Sequence, residues 1–523
     1  MRESIKNSKL GLFFDKKIAP TFLILLLLVL CAQVTTKIDA MPISGDGYDN
    51  FNLTYHLAFY DVMSVGDKDK NGQFIPSNIR EPLPILLSAI WIKTLPSLAS
   101  AKSFDDLLHG KRLITLKLQN TIYIALLLVG TFTLAYEVFK PALSYRLNVL
   151  QALVTTLITF YCIHLIYVTT LLTEFQGAFL ITWFVWAWLK AWRSQSVVQY
   201  ALAGFLLGCL ILTKAAFLYI GIVSVGFLLI YLTLFLKEFN FGLKQLILLT
   251  VAILTILPWY VRNYFQIGVW ELTQRGPVVL MTRAFKNNLN DDEFKGGFYA
   301  YAPLSLKKIM QNITGFSAAD RLDGGRLQRL TRFPSGDNEK RANGDVDGAI
   351  SYYIKATTHF SNIQKKFRQQ EPNPIKARVL ADRAAQQEAI AMIKSNPWGH
   401  LKSTLVFAWR GAWPCNTVDG RWSAGAKLTR QPIWQEILPF LGLVAMFILF
   451  FKSLLTKNIP LVITTLIGVS TFVFYSLATH FIPRYSEMFI PIWVLCFSVF
   501  LVQIFSKIKY GMLFRSRTKA NFP

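Results

Sequence analysis

The sequence predicts an all-α polytopic membrane protein of about ten transmembrane helices, with a smaller, mostly helical extracytoplasmic domain. Three observations predict it. Of the 523 residues, 53% are hydrophobic and 16% are charged, whereas soluble domains carry about 25% charged residues. The charge deficit lies in long blocks such as TFLILLLLVLCAQV, which holds no charge, and a helix crosses a bilayer with roughly 20 apolar residues. Much of the formal net charge of +25 sits in short segments between those blocks, as the positive-inside rule requires. The basic excess therefore marks orientation in a membrane. No nucleic-acid-binding motif accompanies it, and basic patches alone do not make one.

The elements follow in order. The first apolar run, about 18–36, is long, and VTTKIDAMP after it is a poor cleavage site. It reads as a retained signal-anchor helix. The preceding tail holds Arg2, Lys6, Lys9, Lys16 and Lys17 against Glu3 and Asp15, which places it in the cytoplasm. Residues 37–117 then form an outside loop, within which PLPILLSAIWIKTL is apolar, short and bounded by prolines. That segment reads as an interfacial or re-entrant helix. The next span is about 118–139. The block 147–192 is too long for one span and divides at Glu174. Spans 198–213 and 216–236 are parted by Lys214, and span 243–261 ends in PWYVRN.

A polar region, 264–430, follows, with a Gly/Asp-rich patch and the helical stretch NPIKARVLADRAAQQEAIAMI. Loops this long do not obey the charge rule, and it is placed outside. Spans at about 432–451, 459–479 and 487–506 complete the set. The tail carries Lys507, Lys509, Arg515, Arg517 and Lys519 without an acid, so it too is placed in the cytoplasm. Three parts result: an N-terminal transmembrane module (1–263), an extracytoplasmic domain (264–430) and a C-terminal transmembrane part with a basic tail (431–523). Cys31, Cys162, Cys209 and Cys496 fall in spans and Cys415 stands alone in the polar region; no disulfide framework or zinc pattern is present.

Under this topology the charges that sit awkwardly beside hydrocarbon gather at the outer face. They are Asp46, Arg80, Glu81, Glu174, Lys214, Arg262 and Arg484. Snorkelling accounts for a lone Lys or Arg, but less readily for four cations and several carboxylates on one face. Charges in such places are functional candidates. An arginine fork suits phosphate, and a phosphate at a bilayer surface suggests a lipid phosphate. A neighbouring carboxylate can act as general base toward a hydroxyl, and fixed cations stabilise the charge that a leaving phosphate gains. Group transfer from a lipid-phosphate donor fits these parts.

Seven landmarks in order carry a family resemblance. They are SGDGYDNFNLTYHLAFYD, REPLPILLSAIW, LLTEFQGAFL, LAGFLLGCLILTKAAFL, PWYVRNYFQIG, AIAMIKSNPWGHLKSTLVFAWRGAW and HFIPRYSEMFIPIW. Over nearly the whole chain the sequence resembles the GT-C class of membrane glycosyltransferases, in its bacterial family 39-like branch of protein mannosyltransferases and the lipid A aminoarabinose transferase. The resemblance implies an outward-facing active site in the bacterial cytoplasmic membrane, a polyprenyl-phosphate-linked sugar donor and inverting transfer to a glycan, lipid or protein acceptor. It implies Asp46 as catalytic base, with Asp49 as the alternative because Gly47 stands where many relatives have a second acid. Arg80, Lys214, Arg262 and Arg484 become candidates for the donor phosphate. Glu81, Glu174, Tyr55, Asn263, His480 and Tyr485 become candidates for binding substrate or supporting the site. Some members of the class use a divalent cation. Asp67-x-Asp69 and Asp345-x-Asp347 look like DxD motifs, but hard cations need several oxygen ligands, and both read as solvated loop.

Two other functions remain open on the sequence. One is a polysaccharide polymerase or ligase with a lipid-diphosphate donor. The other is a flippase for lipid-linked sugar, which should carry polar residues through the middle of its spans. The lack of an evident internal repeat argues against an inverted-repeat transporter.

Overall fold

The computed structural model describes residues 19–69, 71–331, 334–414 and 432–519. The tail before residue 19 and Cys415 lie outside the described residues. Regular structure among the described residues is helical; an isolated bridge between Lys68 and Phe74 is the sole β pairing.

Each stretch read as a span is helical: Ala19–Thr35, Gln119–Phe139, Tyr145–Cys162, Glu174–Ser194, Val197–Thr213, Ala216–Ile230, Phe239–Ile267, Ile433–Leu455, Ile459–Ala478 and Ile490–Lys519. Six helical stretches are both long and apolar enough to cross a membrane: Gly110–Phe139, Ala216–Phe235, Phe239–Ile267, Ile433–Leu455, Ile459–Ala478 and Pro483–Phe505. This is a multi-pass membrane protein. The remaining helices fall short for visible reasons. Glu174–Ser194 carries Glu174, Lys190 and Arg193, and Tyr145–Cys162 carries Arg146, Asn148 and Gln151. Thr21–Thr35 and Val197–Thr213 are apolar but shorter, as is Pro82–Thr94 in the first loop.

The Phe239–Ile267 helix runs six residues past the expected end of its span and through Pro258. Proline is tolerated in membrane helices because neighbouring groups satisfy the freed backbone. The helix stops at Gly268, whose φ of 77° is open to glycine at no steric cost. That reversal sends the chain back toward the helix end it has just left.

Two glycines set the distance between helices. A Cβ on Gly204 would lie 2.4 Å from the Leu248 carbonyl oxygen, and one on Gly208 would lie 2.5 Å from Thr255 Cβ. Small residues four apart let membrane helices approach closely. Here they seat Val197–Thr213 against Phe239–Ile267. Gly208→Val is expected to force the pair apart at a cost of about 1–3 kcal/mol, read as a lower melting temperature of the purified protein in detergent. An unchanged melting temperature would show that the helices can separate freely.

Between the two groups of long helices lies a helical region that includes Gly276–Phe285, Tyr352–Gln370, Pro374–Ser395 and Pro397–Gly411. Its buried Tyr299, Leu327, Val406 and Trp413 join the same apolar core as Phe481 and Trp493 of the bundle. Arg283 is fully buried and ties the parts together. Its Nη1 donates to Ser403 Oγ (2.7 Å), its Nη2 to Thr404 Oγ1 (2.9 Å) and its Nε to the Leu477 carbonyl (3.2 Å). Burial lowers its pKa to about 9.

Candidate active site

A cavity of about 550 Å³ opens where helix ends meet. Asp46 begins the Asp46–Tyr60 helix and Glu174 begins Glu174–Ser194. Lys214 is an extended residue between Val197–Thr213 and Ala216–Ile230. Arg484 sits just before the last long helix, and Arg275 just before Gly276–Phe285. Each of these side chains lines the cavity, as do Arg80, Glu81 and Tyr485.

Asp46 is the centre of the ion cluster. Its Oδ1 accepts from Arg80 Nη2 (2.8 Å) and Arg275 Nη2 (2.9 Å), and its Oδ2 accepts from Arg484 Nη2 (2.6 Å). Arg80 also donates to Asp49. The other face of Arg484 meets Glu174: Nε lies 3.1 Å from Oε1. Lys214 Nζ donates to the same oxygen at 3.4 Å, while the buried Oε2 of Glu174 has no hydrogen-bond partner. Glu81 Oε1 accepts from the Ala215 backbone N–H (3.2 Å), at the positive end of the Ala216–Ile230 helix.

At this end of the cavity four cations, Arg80, Lys214, Arg275 and Arg484, face three carboxylates, Asp46, Glu81 and Glu174. Burial alone would raise the Asp46 carboxyl. The charges of Arg484 and Arg80 and their hydrogen bonds outweigh it and hold the group well below the usual carboxylate range. The site is therefore an anionic group gripped by arginine forks, and with Asp49 on Arg80 its four cations meet four carboxylates.

The structure brings Asp46, Asp49, Arg80, Glu81, Glu174, Lys214, Arg484 and Tyr485 together. It does not bring Arg262, Asn263, Tyr55 or His480 to the cavity wall. Arg262 Nη1 donates to the Ser77 carbonyl (3.2 Å) and to Asn263 Oδ1 (2.9 Å), and its guanidinium lies 4.7 Å from the Trp259 ring centre. Asn263 Nδ2 donates to the carbonyls of Glu271 (2.7 Å) and Leu272 (3.3 Å), and Trp259 Nε1 to that of Leu272 (2.8 Å). The PWYVRN motif thus folds the segment after Gly268 back over the cavity and steadies the loop before Arg80. Tyr55 packs its ring on Phe59, Tyr60 and Phe104. His480 packs against Tyr353 and Tyr485; burial, with Lys286 and Arg410 nearby, keeps its pKa well below the ordinary histidine value.

Sequence reasoning missed Arg275, Glu271, Asp382 and Arg383, all on the cavity wall. Arg275 and Glu271 lie within eight residues of the end of the Phe239–Ile267 helix, a proximity that could have placed them at the same face. Asp382 and Arg383 sit on Pro374–Ser395, with no local pattern to single them out. Neither DxD segment gathers cation ligands. Asp69 Oδ1 accepts from the N–H groups of Asn71 (2.9 Å) and Gln73 (2.8 Å), and Asp345 Oδ1 from that of Gly348 (2.8 Å). Among the described residues no three His, Cys, Asp or Glu side chains converge as a metal site would need.

No family model matches the chain, and no curated protein does. Among solved structures it is similar to an Archaeoglobus fulgidus oligosaccharyltransferase in complex with zinc and sulfate, with 12% identity and a TM-score of 0.46 over 93% of this chain and 50% of that one. It is similar to the archaeal oligosaccharyltransferase AglB of the same organism with an inhibitory peptide and a dolichol-phosphate, with 12% identity and a TM-score of 0.46 over 95% and 52%. The apo form of the A. fulgidus enzyme gives 12% identity and a TM-score of 0.47 over 95% and 52%. The chain spans about half the length of these structures.

Proposed function

We propose that the protein is an inverting glycosyltransferase that moves a sugar from a polyprenyl-phosphate donor to an acceptor at the outer face of the bacterial cytoplasmic membrane. The observation that carries this reading is Asp46 held by three arginines in a cavity at the ends of membrane helices. An arginine fork gripping a carboxylate presents the same geometry to a phosphate. The donor phosphate takes over part of the guanidinium donors that Asp46 holds. Asp46, relieved of those donors, becomes more basic as the donor seats. It then takes the proton of an acceptor hydroxyl while that oxygen bonds to the anomeric carbon. The bond from that carbon to the phosphate oxygen breaks on the opposite side, and its electron pair leaves with the phosphate. Arg80, Arg275, Arg484 and Lys214 stabilise the charge that develops there. The ordered resemblance to GT-C glycosyltransferases supports the same reading.

Turnover in detergent tests it. Purified protein, a radiolabelled short-chain polyprenyl-phosphate sugar and membranes from a deletion strain as acceptor source are expected to yield labelled product and free polyprenyl phosphate. A flippase needs two compartments and gives no turnover there. No product from any of a panel of donor sugars would count against the enzyme.

A further inference from the structure

The cavity is lined by further charged groups besides those that hold Asp46. Asp382 and Arg383 come from the Pro374–Ser395 helix, and Glu271 from the segment folded back by Asn263. Asp382 is 5% exposed, and its Oδ2 has no hydrogen-bond partner. A buried carboxyl oxygen left without a donor costs about 1–3 kcal/mol or more, so its place on a cavity wall points to a ligand that supplies one. The surroundings narrow the donor. Arg378 lies one turn before Asp382 and acts on it electrostatically, and Arg383 acts on Glu271. Two cations already stand beside the two carboxyls, so an ammonium ligand would meet repulsion as well as attraction. A neutral hydroxyl meets none. Burial pushes the Asp382 carboxyl up to about 7; Arg378 opposes the rise and Glu271 adds to it. Near neutral pH such a group both accepts and donates, as a hydroxyl does. Tyr260 and Trp270 also line the cavity, their ring centres 5.7 Å apart, and offer apolar faces to the C–H side of a ring.

Resting on the glycosyltransferase reading, we propose that Asp382, with Glu271 and Arg383, forms a subsite for the hydroxyl groups of a sugar ring, and that Asp382 is a specificity-determining residue for that sugar. The ring belongs either to the donor sugar or to a sugar of the acceptor. Binding to the purified full chain in detergent separates them. The probes are farnesyl phosphate, a panel of farnesyl-phosphate hexosides epimeric at single hydroxyls, and the matching methyl hexosides added to protein loaded with farnesyl phosphate. If the donor supplies the ring, one hexoside binds wild type roughly ten- to hundredfold more tightly than farnesyl phosphate, the range for a hydrogen bond to a charged group. If the acceptor supplies it, the gain appears instead as binding of a methyl hexoside to the loaded protein. In either arm Asp382→Asn is expected to lose the gain while binding farnesyl phosphate as wild type does, which also shows that the variant is folded. Glu271→Gln, on an exposed side chain, is expected to lose part of it and serves if Asp382→Asn does not fold. A gain retained in Asp382→Asn overturns the proposal, as does the absence of a gain from wild type in both arms. Failure of wild type to bind farnesyl phosphate is a different result: it overturns the phosphate reading of the Asp46 cluster, and this proposal falls with it.

Discussion

Asp46→Asn is expected to lower sugar transfer by about 10²–10⁴-fold, the range for loss of a general base, with the protein still present in the membrane at its normal level. The substitution keeps shape and one acceptor oxygen but removes the charge on which Arg80, Arg275 and Arg484 converge. Those arginines remain in the cavity and are less occupied than before. Affinity for farnesyl phosphate is therefore expected to hold or rise while turnover collapses, a split between binding and catalysis that misfolding would not produce. The pH dependence follows from the sign of the shift. A carboxyl held well below its ordinary value stays ionised down to strongly acid pH. Its contribution to stability is fully present above an unfolded pKa near 3.9 and is lost only as pH falls through the lower folded value. An acid limb of donor binding between pH 5 and 8 thus cannot come from Asp46 while Arg484 and Arg80 hold it. If Asp46→Asn retains wild-type turnover, Asp46 is not the base, and Asp49, which shares Arg80, is the next residue to replace.

The sequence announced the membrane helices because hydropathy acts locally: an uncharged block has one low-energy environment wherever the rest of the chain goes. The same logic exposed Asp46, Arg80, Glu174, Lys214 and Arg484, since a charge at the end of an apolar run stands out against its neighbours. It also drew in Arg262, which meets the same description yet turns away to the Ser77 carbonyl and the Trp259 ring. Direction around a helix is set by packing, and no charge pattern reports it. Asp382 failed in the opposite way. It lies in a polar, alanine-rich helix, where a carboxylate is ordinary, and becomes unusual only when that helix closes one wall of the cavity. Arg275 was hidden by a chain reversal. Its place beside Asp46 depends on the turn at Gly268 and on Asn263 holding the returning segment, a tertiary arrangement that the motif marks but does not describe.

Arg484 is expected to give the largest loss of stability and of donor affinity together. One guanidinium joins two carboxylates, with Nη2 2.6 Å from Asp46 Oδ2 and Nε 3.1 Å from Glu174 Oε1. Arg484→Ala leaves Glu174, 1% exposed at its side chain, with Lys214 at 3.4 Å as its remaining ion-pair partner. Removing one member of a buried pair costs about 3–5 kcal/mol, because the other charge stays buried without compensation. Arg484→Lys restores the charge but not the planar fork, so it reaches one carboxylate and offers phosphate a single point of contact. Part of the lost melting temperature should return in Arg484→Lys, whereas the Kd for farnesyl phosphate should stay at least about tenfold above wild type, one hydrogen bond to a charged group being worth roughly 1.5–3 kcal/mol. The double variant Arg484→Ala with Glu174→Gln separates the two effects. Neutralising Glu174 removes the uncompensated charge, so the pair should lose less stability than the single losses added together, by about 0.5–3 kcal/mol, and donor affinity should remain as poor as in Arg484→Ala. Wild-type affinity in Arg484→Lys would mean that the phosphate does not sit on this guanidinium, leaving Arg484 as the tie between Asp46 and Glu174 and moving the phosphate to Arg80, Arg275 and Lys214.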